Sequence, residues 1–204
     1  MSPESLERHD HRVIARLVPE GSRVLDLGCG DGELLKILRD EKGAFVRGVE
    51  LDLDDISTCI AKGLSVIQAD LDEGLAGFPD RSFDWVVMSQ TVQVLRNPVL
   101  AIREMLRVGD HGAVSFPNFG HWSVRGYLAF RGRMPVSSAI PYEWYDTPNI
   151  HHTTITDFRD FLTSNGALIE REIDLRVTPG GGREVGFWPN LMADSAVMVA
   201  RRAE

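Results

Sequence analysis

Only two cysteines, Cys29 and Cys59, occur in the 204 residues, with no CxxC pair and no histidine at metal-ligand spacing beside them. That excludes a disulfide scaffold and a zinc knuckle, and two free, reduced thiols in unlike settings are expected. No apolar run approaches the ~20 residues that span a bilayer, and the opening MSPESLERHD is too polar for a signal-peptide core. The expectation is a cytoplasmic protein without membrane contact. Basic residues are few, 22 Lys plus Arg against 30 acidic side chains for a net charge of −8. A nucleic-acid ligand is therefore disfavoured, because its phosphates are bound chiefly by Lys and Arg. There is no internal repeat and no low-complexity tract.

The length and the 43% hydrophobic content suit one domain over 1–204 with a proper core. Along the chain, short apolar runs alternate with helical patterns. Pro3 and Glu4 after Ser2 open an amphipathic helix with Leu6, Val13, Ile14 and Leu17 on one face, ending near Pro19. RVLDL (23–27), AFVRGVEL (44–51), LSVIQAD (64–70), FDWVVMS (83–89) and GAVSF (112–116) read as five strands. Between them, ELLKILRDEK is capped by Gly43, a helix runs from about Asp54 to Lys62, and Asn97-Pro98 opens another to Arg107. This alternation predicts an α/β, doubly wound, mainly parallel sheet covered on both faces. TTITDFRDFLTSNG then reads as a helix, ALIEREIDL and SAVMVARR as strands, with a long loop through Gly180, Gly181 and Gly182 between those strands.

Chemistry concentrates at strand ends. Asp26-Leu27-Gly28-Cys29-Gly30-Asp31-Gly32 joins the first strand to a helix, where doubly wound folds bind ligands. Gly28 and Gly30 let main chain approach a nucleotide with no Cβ in the way, and the helix start offers unpaired N–H groups. Glu50 ends the second strand 18 residues after Gly32, near the offset at which a carboxylate takes both ribose hydroxyls. Asp70 ends the third strand, where its carboxylate can accept the adenine amine while Leu71 packs on the ring and offers its N–H. The third glycine of a GxGxxG pattern is replaced by Glu33, which speaks against a pyrophosphate cofactor.

VLDLGCGDG with Glu50 and Asp70 at the next strand ends resembles the class I S-adenosylmethionine-dependent methyltransferases. The resemblance implies a Rossmann-like sheet of seven strands, the last antiparallel. It also implies that Asp26, Gly28 and Gly30 cradle the methionine and sugar of S-adenosylmethionine (SAM) or S-adenosylhomocysteine (SAH). Further phrases are similar to the MetW family of methionine biosynthesis: DLDEGLAGFPDRSFDWVVMSQTVQVL, SFPNFGHW, GRMP, PYEWYDTPNIHHTTITDF and FWPNL, together spanning roughly residues 20–192. The stretch 178–186 matches nothing in that pattern. What this resemblance implies is a methyltransferase-fold protein that acts with homoserine O-acyltransferase as a partner needed for full acyltransferase activity.

The residues after the fourth strand, Ser89-Gln90-Thr91-Val92-Gln93, lack the Asn/Asp-Pro-Pro-aromatic pattern of amino-directed methyltransferases. No metal is required for methyl transfer, only positioning and a proton acceptor. Candidates lie in an insertion over about 117–152, which holds four prolines, all three tyrosines, two of the four tryptophans and three of the six histidines. His121, Tyr142 and His151 are candidate bases or acceptor clamps, with Tyr145, Asp146 and His152 beside them. The alternative role of this insertion is a rigid lid or a protein interface anchored by aromatics such as Trp122 and Trp144. Asp72, Glu73 and Asp80 read as a solvated acidic edge. Two functions stand: an auxiliary activator of homoserine O-acyltransferase, or an independent SAM-dependent methyltransferase acting on a small polar metabolite.

Overall fold

The computed structural model describes residues 3–137, 140–178 and 181–203. Ser2 and Gly180 lie outside the described residues, as does the side chain of Leu6. The elements run α1 (Pro3–Leu17), β1 (Arg23–Leu27), α2 (Glu33–Lys42), β2 (Phe45–Glu50), α3 (Leu53–Ala61), β3 (Val66–Gln68), β4 (Phe83–Ser89), α4 (Pro98–Val108), β5 (Gly109–Pro117) and α5 (Trp122–Arg131). They continue with α6 (Ile155–Ser164), β6 (Ala167–Thr178), β7 (Gly181–Glu184), α7 (Pro189–Met192) and β8 (Ser195–Arg202).

One sheet has the order β3-β2-β1-β4-β5-β8-β6-β7. The first five strands are parallel, and β8 pairs antiparallel with both β5 and β6. The expected seven strands are therefore present, with their last one antiparallel. An eighth, β7, pairs antiparallel with the end of β6, so Gly181 and Gly182 lie in a strand where a loop was expected. Apolar periodicity could not announce it, because Gly181-Gly182-Arg183-Glu184 offers no alternating hydrophobic face.

Strand alternation sorts the core into two layers. Leu25, Leu27 and Val49 face a layer with Ile102 and Met105 of α4 and Phe158 and Leu162 of α6. Val24 and Val87 face the other, with Ile14 and Val18 at α1 and Leu34 and Leu38 of α2. Local chemistry fixes the helix ends: Gly43 closes α2 in the left-handed conformation, Asp52 accepts from Asp54 and Asp55 N–H to start α3, and Asn97 accepts from Leu100 N–H ahead of Pro98.

The crossover from β3 to β4 has no full helix, only a 3-10 turn at Leu71–Glu73 and a loop. Arg107 of α4 holds that loop, donating to Leu75 O at 3.0 Å, Phe78 O at 2.9 Å, Asp80 at 2.6 Å and both oxygens of Glu104. Asp72 accepts from Arg96 N and Asn97 N at the entry to α4. The acidic edge thus ties the crossover to α4 as well as meeting solvent.

Asp174 of β6 is buried, and its Oδ1 has no hydrogen-bond partner. Burial, with Glu172 beside it, pushes the carboxyl up to about 7. The unfolded chain releases that proton near 4, so stability is lost as pH rises from about 4 to 7 and stays reduced above it. Asp174→Asn is expected to raise the melting temperature by about 2–8 °C at pH 8, from ~1–2 kcal/mol, and to change little at pH 4. Equal shifts at both pH values in thermal melts contradict this assignment.

Candidate functional site

The strand order reverses direction at β1 and β4, so the loops that leave their carboxyl ends diverge and open a crevice. A cavity of about 620 Å³ occupies it, within the range of small-molecule sites. Gly28, Gly30, Glu50, Asp70 and Leu71 all line it. Asp26 does not; it is buried within β1, 1% exposed.

The glycine turn is shaped by its neighbours. Gly28 (φ +75°) lies so close to the loop after β4 that a Cβ there would sit 2.6 Å from Thr91 Cγ2. At Gly30 (φ +51°) a Cβ would meet nothing within 4 Å, so bare main chain faces open space on the cavity wall. Behind the turn, Cys59 Sγ donates to Gly30 O at 3.2 Å and Cys29 Sγ lies 3.8 Å from the same oxygen. Two thiols 30 positions apart in sequence thus share one small apolar cluster with Leu35 and Leu64. Burial pushes the Cys29 thiol well up, keeping it protonated and inert.

Glu50 is a hub. Its Oε2 accepts from Gly30 N at 2.8 Å, and its Oε1 from Leu51 N at 2.7 Å and Asp52 N at 3.1 Å. The same carboxylate that lines the cavity therefore also fixes the glycine turn. At the next strand end Asp70 Oδ1 accepts from Asp72 N at 2.9 Å, and Oδ2 is left for a donor in the cavity.

The opposite wall comes from the loop after β4, which sequence reasoning read only for a motif it does not contain. Ser89, Gln90, Thr91, Gln93 and Arg96 line the cavity. Gln90 holds φ +53°, a conformation costly for a residue with a Cβ. Asp10 of α1, fully buried, accepts from the Gln90 side-chain amide and from Ser195 Oγ. Gln93 Nε2 donates to Gln90 O at 2.8 Å. The strain at Gln90 is thus braced by Asp10 of α1, which Ser195 of β8 holds in turn, and by Gln93 of the same loop. Neighbouring His11 is kept neutral by burial, pushed down to about 4, with the charge of Asp31 opposing that shift. An isolated Asp in a helix pattern carries no signal of such a role, so Asp10 was not legible.

The insertion supplies a further part of the cavity wall. Pro141, Tyr142, Pro148, Asn149 and Ile150 line the cavity, and the N–H groups of Ile150 and His151 donate to Gln93 O at 2.9 and 3.0 Å. Tyr142 is therefore at the cavity, and His151 is anchored beside it through its backbone. His121 is not in the cavity wall. It caps α5, with Nδ1 2.7 Å from Ser123 Oγ and Nε2 3.8 Å from Asp194. Among the described residues no cluster of His, Cys, Asp or Glu is arranged to hold a metal ion, and no helix is long and apolar enough to cross a membrane.

Comparison with known proteins gives a family match and several likenesses of fold. The family model for methionine biosynthesis protein MetW matches residues 8–200. A bifunctional methionine biosynthesis protein MetXA/MetW from Rhodopirellula baltica is 37% identical over 95% of this chain, which spans 32% of that protein's length. Among solved structures, a SAM-dependent methyltransferase from Archaeoglobus fulgidus superposes with a TM-score of 0.72 at 18% identity, over 98% of this chain and 95% of the other. A SAM-dependent methyltransferase and possible histamine N-methyltransferase from Thermotoga maritima gives 0.71 at 16% identity, over 98% and 90%. At those identities the likeness is one of fold, here that of class I SAM-dependent methyltransferases.

Proposed function

Because this chain belongs to the MetW family of methionine biosynthesis proteins, we propose that it is a SAM-binding auxiliary subunit that docks on a homoserine O-acyltransferase and raises its activity. The observation that carries this reading is the Rhodopirellula baltica relative. There, a chain like this one makes up about a third of a protein named for both MetXA and MetW functions. The presence of both in one bifunctional protein suits a physical partnership where they are separate chains.

The cavity supports a nucleoside cofactor of the SAM class. Gly30 presents main chain without a Cβ, Glu50 would take the ribose hydroxyls, and Asp70 Oδ2 the adenine amine with Leu71 against the ring. Gly28 would join Gly30 in that wall, while Asp26, buried at the end of β1 just before the turn, would lie outside it. SAM would supply an electrophilic methyl group where an acceptor is present. In an auxiliary subunit the same binding can serve as a readout of the methionine pool.

The second reading, an independent methyltransferase acting on a small polar metabolite, draws on one observation: Tyr142 lines the cavity. There it could take a hydroxyl acceptor's proton. His151 could orient such an acceptor, and His121, as a helix cap, would act only through α5.

The experiment is the rate of homoserine acylation by the purified cognate acyltransferase, with and without a stoichiometric amount of this protein. At least a tenfold rise is expected. An unchanged rate, with SAH binding confirmed by calorimetry, rejects the auxiliary role and favours the independent methyltransferase.

A further inference from the structure

Helix α5 is nearly without a core. Of its ten residues only Val124 is buried, against Phe119 and Ile140, while Trp122, Tyr127, Leu128 and Phe130 are exposed. A helix that packed for stability would turn its apolar side chains inward. This one turns them out.

Two further pairs of exposed rings lie on segments tied to it. Trp144 and Tyr145, in edge contact at 5.7 Å, follow the Ile140 that packs on α5. Phe187 and Trp188, stacked at 4.9 Å, lead into α7. Asn118 Nδ2 donates to Asn190 O and Ala193 O, and Gly120 closes against Asn190 O, which sets α7 beside the start of α5. Trp122, Phe130, Trp144, Tyr145, Phe187 and Trp188 are each between 51% and 91% exposed.

At about 200 Å² for a whole aromatic side chain, the exposed parts of these six come to roughly 800 Å². Spread over three linked segments, that is more exposed aromatic area than the ~300–600 Å² of the largest single apolar patch on a typical monomer. It equals the ~800 Å² that one partner contributes to a standard-size protein interface. Trp and Tyr are also the side chains that dominate such interfaces energetically.

We propose that the aromatic surface formed by α5, the Trp144–Tyr145 segment and Phe187–Trp188 is the face on which this protein binds the homoserine O-acyltransferase. The assignment rests on the reading above that the acyltransferase is the partner, and it adds the place. The size of the surface calls for a folded protein as occupant. Because the Trp144–Tyr145 segment runs between Tyr142 and Pro148, both on the cavity wall, the bound acyltransferase lies against the outside of that wall.

The test is calorimetric titration of the purified acyltransferase with wild-type protein and with the double variant Phe130→Ser/Trp144→Ser. Neither residue lines the cavity or belongs to the core, so SAH affinity and melting temperature should stay at wild-type values. The expected result is at least a 100-fold weaker complex. Wild-type binding with the variant within threefold of it overturns the surface and leaves the partnership standing. No binding by the wild type overturns both. A wild-type dimer that the variant dissolves, seen by sedimentation without acyltransferase, reassigns the surface to a second copy of this chain and also overturns the proposal.

Discussion

Replacing Gly28 with alanine is expected to weaken SAH binding at least 30-fold and to destabilise the fold by ~2–4 kcal/mol. Two costs add. At φ +75° any side chain meets left-handed backbone strain of ~1–2 kcal/mol. The new methyl would also sit 2.6 Å from Thr91 Cγ2 and 2.8 Å from Thr91 Oγ1, well inside van der Waals contact. Thr91 is buried and bonded to Ser89 O, so it cannot swing away, and the glycine turn and the loop after β4 must move apart. Both line the cavity, so the loss appears in ligand affinity as well as in stability.

Two comparisons make this prediction specific. Gly21 shares the positive φ, but a Cβ there meets nothing within 4 Å, so Gly21→Ala should show the strain alone, without loss of SAH affinity. Adding Thr91→Ala to Gly28→Ala leaves Thr91 Cβ, at 3.3 Å, as the nearest contact and should restore part of the affinity. If calorimetry finds Gly28→Ala binding SAH like the wild type, the turn does not shape the site.

Glu50→Ala should cost about 100-fold in SAH affinity, ~3 kcal/mol. A ribose contact alone would cost less. The larger figure follows because the carboxylate also accepts three N–H groups, and releasing Gly30 N at 2.8 Å frees the turn that the ligand must find in place. Glu50→Gln keeps one oxygen and loses the charge, so it should fall between, near tenfold. A Glu50→Ala protein with unchanged affinity, folded by circular dichroism, removes Glu50 from the site. Neither substitution touches the aromatic surface, so binding of the acyltransferase without cofactor should persist in both.

Much of this was legible in the linear chain because it depends on local rules. A glycine turn after a short apolar strand and a carboxylate at each of the next two strand ends are set by neighbours in sequence. The fold then brings Gly28, Gly30, Glu50, Asp70 and Leu71 to one wall. The alternation of elements fixed the parallel sheet for the same reason: each βα unit is a local pattern, and right-handed crossovers leave few ways to join such units.

The rest was decided by contacts across long stretches of chain, which no local pattern encodes. Asp10 reaches Gln90 across 80 residues and Ser195 across 185. Cys29 and Cys59 share Gly30 O, and His121 serves α5 instead of the cavity. The insertion shows the division clearly. Its composition suggested a lid or an interface, but only packing could allot Tyr142 to the cavity and Trp144 to the surface two residues later. Between α5 and α6 the described residues form no regular structure, so no repeat assigns faces in advance. Which side chain turns inward depends on where Val124 seats α5 and where Gln93 holds Ile150.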